Sequence, residues 1–364
     1  MMSSCRYQYT LAHILLLAIV SGYILAMFLK PPGHYFGNRM FSLGINTYYR
    51  AKFIDMVEGR AYKPFVYRTL LPSTVRLLSS VTPEGFQLGL SNFVERHDLT
   101  GEAFDQLEWE TSAAYSYLLA CFFMWLSYIG FAHFSSKLII QTCNIQETFV
   151  SQSGLAILAL VGLPPFFKYG SFVYDPTQLF LFAALLYFLA KGNLKPFLIL
   201  FPFACVNKET AVVLIPVGWF VWRDIYSRGK RLVLLAGMLF IYVVIKGAIS
   251  HAFQSNPGSF VEFHLLDHNL RLISRGWGFT ALFLWLSLLV LLTYKWRQKA
   301  YFLRASFLCI LSPLVGLALF MGYLDEWRGY YEAYPVALGL IVDSVLRIKS
   351  ALEKNTENPL AEGL

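Results

Sequence analysis

The sequence contains few charged residues. They make up 14% of its 364 residues, whereas hydrophobic residues make up 57%, and the mean hydropathy is +0.52. A typical soluble domain carries roughly 25% charged residues. This scarcity of charge excludes an ordinary soluble domain and indicates a polytopic membrane protein.

Cysteine is scarce too, and the familiar nucleotide-binding motifs are missing. The five cysteines form no CxxC pair, so neither a disulfide framework nor a zinc site is predicted. Walker A, GxGxxG, GxSxG and zinc-finger spacings are all absent from the sequence. The sequence therefore carries no signature of a nucleotide-sugar or nucleoside-triphosphate site.

Long apolar runs make up much of what is present. A spanning helix needs about 20 mostly apolar residues, so we expect an all-α fold with about ten transmembrane helices. The first run is followed by Lys30-Pro31-Pro32 and no small-residue cleavage site, which favours a retained anchor over a signal peptide. The short fifth and sixth runs leave open a broken or re-entrant pair. The ten runs are 11–29, 113–134, 154–167, 179–190, 196–206, 211–221, 232–249, 279–292, 307–323 and 336–346.

The distribution of Lys and Arg predicts the orientation. These residues concentrate in alternate short loops, and the positive-inside rule puts such loops in the cytoplasm, where they serve only as topology signals. Both termini would then be cytoplasmic, and every unusual polar segment would lie on the outer side. Because the bases follow the ends of the apolar runs, the net charge of +8 does not indicate a nucleic-acid partner.

The chain is predicted to be one domain with a large extracytoplasmic first loop over 30–110. Apolar spacings of three and four predict amphipathic surface helices at 41–57 and 67–81, separated by Gly59 and Pro64. An acidic surface helix is expected within 91–110. The polar segment 350–364 is predicted to be a flexible cytoplasmic tail.

The first loop contains the first candidate site residues. In a helix, Asp55 and Glu58 would share a face, and one carboxylate could act as a general base. Arg68 could hold a phosphate through its planar guanidinium. The alternative is an interfacial helix whose acids and bases pair with each other.

Three later segments carry ionisable residues at the ends of apolar runs; they lie around Asp175, around Lys208 and over 325–335. Asp175 precedes a proline, which we expect to keep it out of the helical region; it could face a cavity or cap the next helix. Lys208 could bind a lipid-linked phosphate or neutralise the adjacent Glu209.

The segment 325–335 has more charge than a turn requires, because Glu326, Arg328 and Glu332 lie among aromatic residues such as Tyr331. Arg328 could clamp an anion, although interfacial anchoring alone would explain the tyrosines.

A weak metal-binding pattern follows the seventh run. The spacing of His264 and His268 suits two ligands on one helix face, with Glu262 as a possible third. A solvated loop is the favoured alternative.

The retained first helix, the long outer loop and the later polar segments together resemble the GT-C superfamily. Its members are integral membrane glycosyltransferases that use polyprenyl-phosphate sugar donors. The strings that carry the resemblance are Pro64-Phe65-Val66-Tyr67-Arg68-Thr69-Leu70-Leu71-Pro72, Tyr174-Asp175-Pro176, Asn207-Lys208-Glu209-Thr210 and Glu326-Trp327-Arg328-Gly329-Tyr330-Tyr331-Glu332.

The resemblance implies an enzyme of a bacterial inner membrane that transfers a sugar to a glycan, lipid or protein on the extracytoplasmic face. Asp55 would activate the acceptor, and Asp175 would orient the acceptor or a metal. Arg68, Lys208 and Arg328 would bind the donor phosphate. No cofactor is specified, and a divalent metal ion is left open. Glu58, Glu209, Glu326, Glu332 and Tyr331 would support the site.

Other classes of function are left open. A flippase or transporter would need charges near the bilayer midplane, where Lys246 is the main exception to the pattern of charges at run ends. An O-antigen polymerase or ligase, or a non-catalytic envelope assembly protein, is also compatible with this sequence.

Overall fold

The computed structural model describes residues 2–29, 34–36, 39–41, 45–46, 48–170, 172–259, 263–275 and 279–357. The regular secondary structure of these residues is almost entirely helical, which confirms the predicted all-α class. The exception is one antiparallel hairpin of two three-residue strands, β1 (His34–Phe36) and β2 (Arg39–Phe41), in which Tyr35 pairs with Met40.

The helices follow the apolar runs of the sequence closely. A helix covers most of each run, because consecutive apolar residues in hydrocarbon must satisfy their backbone groups within the segment. The helices are α1 (Met2–Leu29), α2 (Phe53–Glu58), α3 (Leu70–Val81), α4 (Glu84–Arg96), α5 (Asp98–Gln106), α6 (Ala114–Thr142), α7 (Phe149–Val161), α8 (Asp175–Ala190), α9 (Leu194–Asn207), α10 (Leu214–Val221), α11 (Arg228–Ala252), α12 (Leu270–Arg275), α13 (Phe279–Thr293), α14 (Tyr301–Met321) and α15 (Tyr334–Glu357).

Five helical segments in the described part are long and apolar enough to cross a membrane: Thr10–Leu29, Thr111–Thr142, Phe149–Phe167, Arg228–Ala252 and Tyr301–Met321. Shorter apolar helices include α8 and α9. On α11 and α13 large apolar side chains such as Phe240 and Phe283 are exposed, which would be costly in water and is expected against hydrocarbon. The protein therefore has the character of a helical membrane protein.

The buried core surrounds α8. Most of its side chains are buried, and it packs against α6 on one side and α9 on the other. Gly130 of α6 allows the closest approach, because a Cβ at that position would lie 2.5 Å from the ring of Phe180 on α8. The first residue of α8 is Asp175, so this packing fixes the position of a candidate site residue.

The predicted helix over 41–57 is wrong in its extent. Phe41 ends β2, residues Tyr49–Ala51 form a 3-10 turn, and only α2 is α-helical. The cause is a buried side chain: Asn46 Oδ1 accepts from the backbone N–H of Phe53 at 3.1 Å, and its Nδ2 donates to Tyr117 Oη at 2.6 Å. Asn46 thereby satisfies the backbone at the start of α2 in a way that competes with a continuous helix.

The other predicted helices of the first loop are present with different bounds. Within 67–81, α3 buries the apolar residues Leu71 and Val75. The acidic stretch 91–110 is divided between α4 and α5, because His97 is extended. At the other end of the chain, α15 continues to Glu357, well into the segment predicted as a flexible tail, and residues 358–364 lie outside the described part.

Replacing Gly130 by alanine tests the α6–α8 contact. The new methyl group would overlap the Phe180 ring, so we expect a loss of about 1–3 kcal/mol in stability from overpacking. The matched control is Gly154→Ala on α7, where a Cβ meets no atom within 4 Å. Thermal unfolding in detergent measures both. Equal unfolding temperatures for the two variants would contradict the contact.

Candidate functional site

Asp175 is the first residue of α8 and is almost fully buried. The prediction that Pro176 keeps it out of the helical region is wrong, because proline lacks only an N–H that is unused in the first turn of a helix. Asp175 does not cap α8 either: Tyr174 is the N-cap residue, and Asp175 Oδ2 accepts from the backbone N–H of Phe172 at 3.3 Å.

Arg328 faces Asp175 from the 3-10 segment Trp327–Ala333. Its Nη1 lies 3.7 Å from Asp175 Oδ2, its guanidinium forms a second ion pair with Glu326, and its Cζ lies 4.0 Å from the centre of the Phe172 ring. Burial lowers the pKa of Arg328, whereas the nearby Glu326 and Asp175 raise it by a larger amount, so the pKa lies above its ordinary value. Arg328 is therefore a fixed cation.

Arg68 reaches the same region from the first loop. It follows the 3-10 turn Phe65–Tyr67, its Nε donates to Glu209 Oε2 at 3.3 Å, and its Nη1 donates to Tyr174 Oη. Its Cζ lies 4.5 Å from the centre of the Tyr174 ring, a cation–π distance. Arg68 thus joins the first loop to the start of α8 and to the segment after α9.

Lys208 and Glu332 form a deeply buried ion pair. Their Nζ and Oε1 atoms lie 2.9 Å apart, and the Glu332 side chain has no exposed surface. Gln178 Nε2 also donates to Glu332 Oε1 at 3.2 Å, and Thr210 Oγ1 donates to the same oxygen. Asn207 extends this network by donating from Nδ2 to Gln178 Oε1 at 2.8 Å. A buried carboxylate needs such partners, since burying an unpaired charge costs several kcal/mol.

Seven of the ionisable residues singled out in the sequence therefore meet in one region, which we call the buried charge cluster. They come from four segments of the chain. Tyr331, the predicted aromatic supporter, is fully buried beside them and stacks on Phe166 at 5.2 Å. The cluster consists of Arg68, Asp175, Lys208, Glu209, Glu326, Arg328 and Glu332.

Asp55 and Glu58 belong to a different and more exposed group. Gly59 ends α2 in the left-handed conformation, and the chain returns so that Arg60 pairs with both acids. Their side chains are 35% and 47% exposed, and none of the contacts of the described residues joins them to the buried charge cluster. The role of Asp55 as a base stays a prediction. In the structure the Asp55 carboxylate forms an ion pair with Arg60.

The histidine pair does not have the expected geometry. Residues Leu265–Asn269 form a π-helical turn, so His264 and His268 are not spaced as on an α-helical face. His268 Nε2 lies 2.8 Å from Asp325 Oδ1, and His264 stacks on Tyr323 at 4.5 Å. Within the described ranges no group of three or more His, Cys, Asp and Glu could hold a metal ion. Glu262 lies outside those ranges.

A basic loop predicted to be a topology signal also forms a buried network. Lys299 is buried, and its Nζ donates to the Leu340 carbonyl and to Ser344 Oγ, both at 2.6 Å. Asp343 lies 3.5 Å from the same Nζ and accepts from Arg347 Nε at 2.6 Å. This network fixes α15 to the segment before α14, and its contacts do not include the buried charge cluster.

Sequence reasoning gave no site role to Lys246, although it lies within the apolar run of α11. It lines a cavity of about 300 Å³ together with Tyr67, Glu209 and Tyr242. Its Nζ and Glu209 Oε1 are buried, and neither atom has a hydrogen-bond partner among the described residues. The available signal was its position, because an ionisable residue within an apolar run is costly.

Comparisons with protein-family models, with curated proteins and with solved structures gave no match to this chain.

Breaking the Lys208–Glu332 pair tests the central contact of the cluster. We expect Lys208→Met to destabilise the protein by about 3–5 kcal/mol, because it leaves a buried carboxylate without its cation. The double variant Lys208→Met/Glu332→Gln should recover part of that loss. Thermal unfolding in detergent measures both. Arg60→Met is the control, since exposed pairs contribute about 1 kcal/mol or less. A double variant less stable than Lys208→Met would contradict the pairing.

Acid pH tests the Arg68–Glu209 contact. Burial raises the pKa of Glu209, whereas the nearby Arg68 and Lys246 lower it by a larger amount, so the folded-state pKa lies below the ordinary 4.5. A lowered pKa stabilises the fold above the ordinary value, and this stabilisation is lost as the pH falls through the folded-state pKa. As the pH is lowered from about 5 to about 3, the unfolding temperature of Glu209→Gln should fall less than that of the wild type. Parallel pH profiles would exclude a special contribution from Glu209.

Proposed function

We propose that the protein is a membrane glycosyltransferase of the GT-C type that transfers a sugar from a polyprenyl phosphate to a glycan, lipid or protein acceptor. One observation carries the proposal: acids and bases from four separate chain segments converge at the start of α8. Ionisable residues beside apolar helices are costly, and their convergence favours a functional site over a set of topology signals.

The arrangement suits the chemistry of the proposed reaction. The bond between the sugar C1 and the donor phosphate oxygen breaks, and a bond forms between C1 and the acceptor oxygen. The acceptor proton passes to a carboxylate, and the polyprenyl phosphate leaves as an anion. A fixed cation such as Arg68 would stabilise the negative charge that develops on the phosphate. Asp175, beside Arg328, is the buried acid best positioned to receive the proton or orient the acceptor.

The proposal includes a topology. Beyond the five long spans, α8, α9, α10, α13 and α15 would cross or enter the bilayer, giving about ten membrane segments. The buried charge cluster would then lie on the extracytoplasmic side of a bacterial inner membrane, with the basic loops opposite. Residues 30–110 would cover the site from the aqueous side, since Arg68 of this loop pairs with Glu209.

A transporter for an anionic lipid is the second candidate. The observation that favours it is Lys246, which lies in a candidate span and has no hydrogen-bond partner among the described residues. Unpaired ionisable residues within spans mark transport pathways as well as active sites. The two functions differ in whether the donor is consumed.

The test is release of polyprenyl phosphate from polyprenyl-phosphate hexose or pentose in proteoliposomes. We expect Asp175→Asn to lower turnover by about 100-fold or more, as expected for a group that handles the acceptor proton. Arg328→Met should also lower turnover, because Asp175 would lose its paired cation. Asp55→Asn tests the acid that lies outside the cluster and, on the resemblance, should also abolish transfer.

Asp343→Asn is the matched control, because it removes a buried, ion-paired carboxylate outside the cluster. Its turnover per folded molecule should match that of the wild type. Full turnover in both Asp175→Asn and Arg328→Met would overturn the proposal. Movement of the lipid across vesicles without release of polyprenyl phosphate would support the transporter instead.

A further inference from the structure

The charges of the site form two groups, and one of them lies beside the cavity that Glu209 and Lys246 line. Arg68, Glu209 and Lys246 lie on its side of the site and sum to a formal charge of +1. Arg328 with its two acids, Asp175 and Glu326, sums to −1. A local excess of positive charge attracts anions. The cavity is therefore the side of the site that favours an anionic ligand.

The bases assigned to phosphate binding on the family resemblance already have carboxylate partners. Lys208 pairs with Glu332, and Arg328 pairs with Glu326 and Asp175. Lys246 differs from them, because its buried Nζ has no hydrogen-bond partner in the described part of the chain. The carboxylate of Glu209 attracts this ammonium electrostatically, but the ammonium still lacks hydrogen-bond acceptors, which a bound anion would supply.

Glu209 supplies the complementary group. Its Oε2 accepts from Arg68, whereas its buried Oε1 has no hydrogen-bond partner among the described residues. A carboxylate oxygen accepts hydrogen bonds only, so its partner in the cavity would be a hydroxyl or another donor. The cavity thus offers a donor for an anion and an acceptor for a hydroxyl. Its volume of about 300 Å³ accommodates a phosphate and several further atoms.

The side of entry follows from the exposure of α11. Val243 lines the cavity and is 56% exposed, and the neighbouring Val244 is 52% exposed. A candidate span that exposes apolar side chains faces hydrocarbon. Lys246 is six residues before the end of α11, roughly 9 Å along the helix axis, so it lies within the span but near its end. A ligand with an anionic head and an apolar tail matches this position.

We propose that the cavity binds the phosphate of an anionic lipid, with Lys246 Nζ donating to a phosphate oxygen and Glu209 Oε1 accepting from a hydroxyl of the bound molecule. The identification of this lipid with the sugar donor rests on the proposed function. Binding of the lipid phosphate in the cavity is independent of the proposed function, since it requires no sugar transfer. Lys246 then joins Arg68 in stabilising the phosphate, and Arg68 also positions Glu209.

The experiment measures binding to the purified full-length protein by native mass spectrometry and thermal stabilisation. The probes are a short-chain polyprenyl monophosphate, phosphatidylglycerol, phosphatidylcholine and inorganic phosphate. We expect the polyprenyl monophosphate to bind, and Lys246→Met to weaken it about 10-fold or more, as for loss of a charge-assisted hydrogen bond. Lys246→Arg should keep most of the affinity. Lys230→Met, at the other end of α11, should have no effect.

A second variant removes space and leaves the charge in place. Gly247 lines the cavity, and a Cβ there meets no atom within 4 Å, so Gly247→Leu places its side chain in that open space. Gly237→Leu is the matched control on the same helix, since a Cβ there is equally unobstructed and Gly237 does not line the cavity. We expect Gly247→Leu to lose binding and Gly237→Leu to keep it.

The outcomes separate the possibilities. Binding of phosphatidylglycerol but not phosphatidylcholine, lost in Lys246→Met, supports the site with a phospholipid as its source. Inorganic phosphate binding as tightly as the lipids overturns the lipid assignment. Unchanged lipid-phosphate binding in both Lys246→Met and Gly247→Leu overturns the site. If lipid binding depends on Lys246 but no sugar is transferred, this inference stands and the proposed function is removed. If Lys246→Met still transfers sugar with an unchanged donor KM, the proposed function stands and this inference is overturned.

Discussion

The ion pair between Lys208 and Glu332 is the contact on which the site depends. Glu332 is completely buried, and such a carboxylate is tolerated only with a cation and further donors beside it. Lys208 is the C-cap residue of α9, and Glu332 lies two residues before α15, so the pair fixes two distant parts of the chain. Gln178 on α8 donates to the same carboxylate. Three helices are therefore oriented by one charged contact.

The remaining charges follow from that constraint. Once α8 and the segment before α15 are held together, Arg328 lies against Asp175, and Arg68 completes the arrangement by pairing with Glu209. Hydrogen bonds and ring contacts then fix each guanidinium, as in the stacking of Arg68 on Tyr174. Charges held in this way do not need to reorganise when a ligand arrives, which is the condition for electrostatic stabilisation in a water-poor site.

The sequence predicted the parts of the fold that depend on local composition. Long apolar runs became helices because the backbone has no other partner in hydrocarbon. Charges at the ends of several runs converge in the buried charge cluster. The extent of the helix at 41–57 was not predictable, since the side chain of Asn46 bonds to the backbone of Phe53 and to Tyr117, which is distant in sequence. Asp55 looked equivalent to Asp175 by residue type, yet only Asp175 is buried, because a partner from another segment is what makes burial possible.

The separation of charge within the site bears on the direction of the proposed transfer. Arg328, Asp175 and Glu326 leave an excess of negative charge at the start of α8, whereas Arg68, Glu209 and Lys246 leave an excess of positive charge beside α11. A leaving phosphate is stabilised on the positive side, and an acceptor hydroxyl loses its proton more readily to a carboxylate on the negative side. Because α11 exposes apolar side chains, the positive side is also the one open to lipid. A lipid-linked donor and a polar acceptor would therefore approach the sugar from opposite sides, as displacement at its C1 requires.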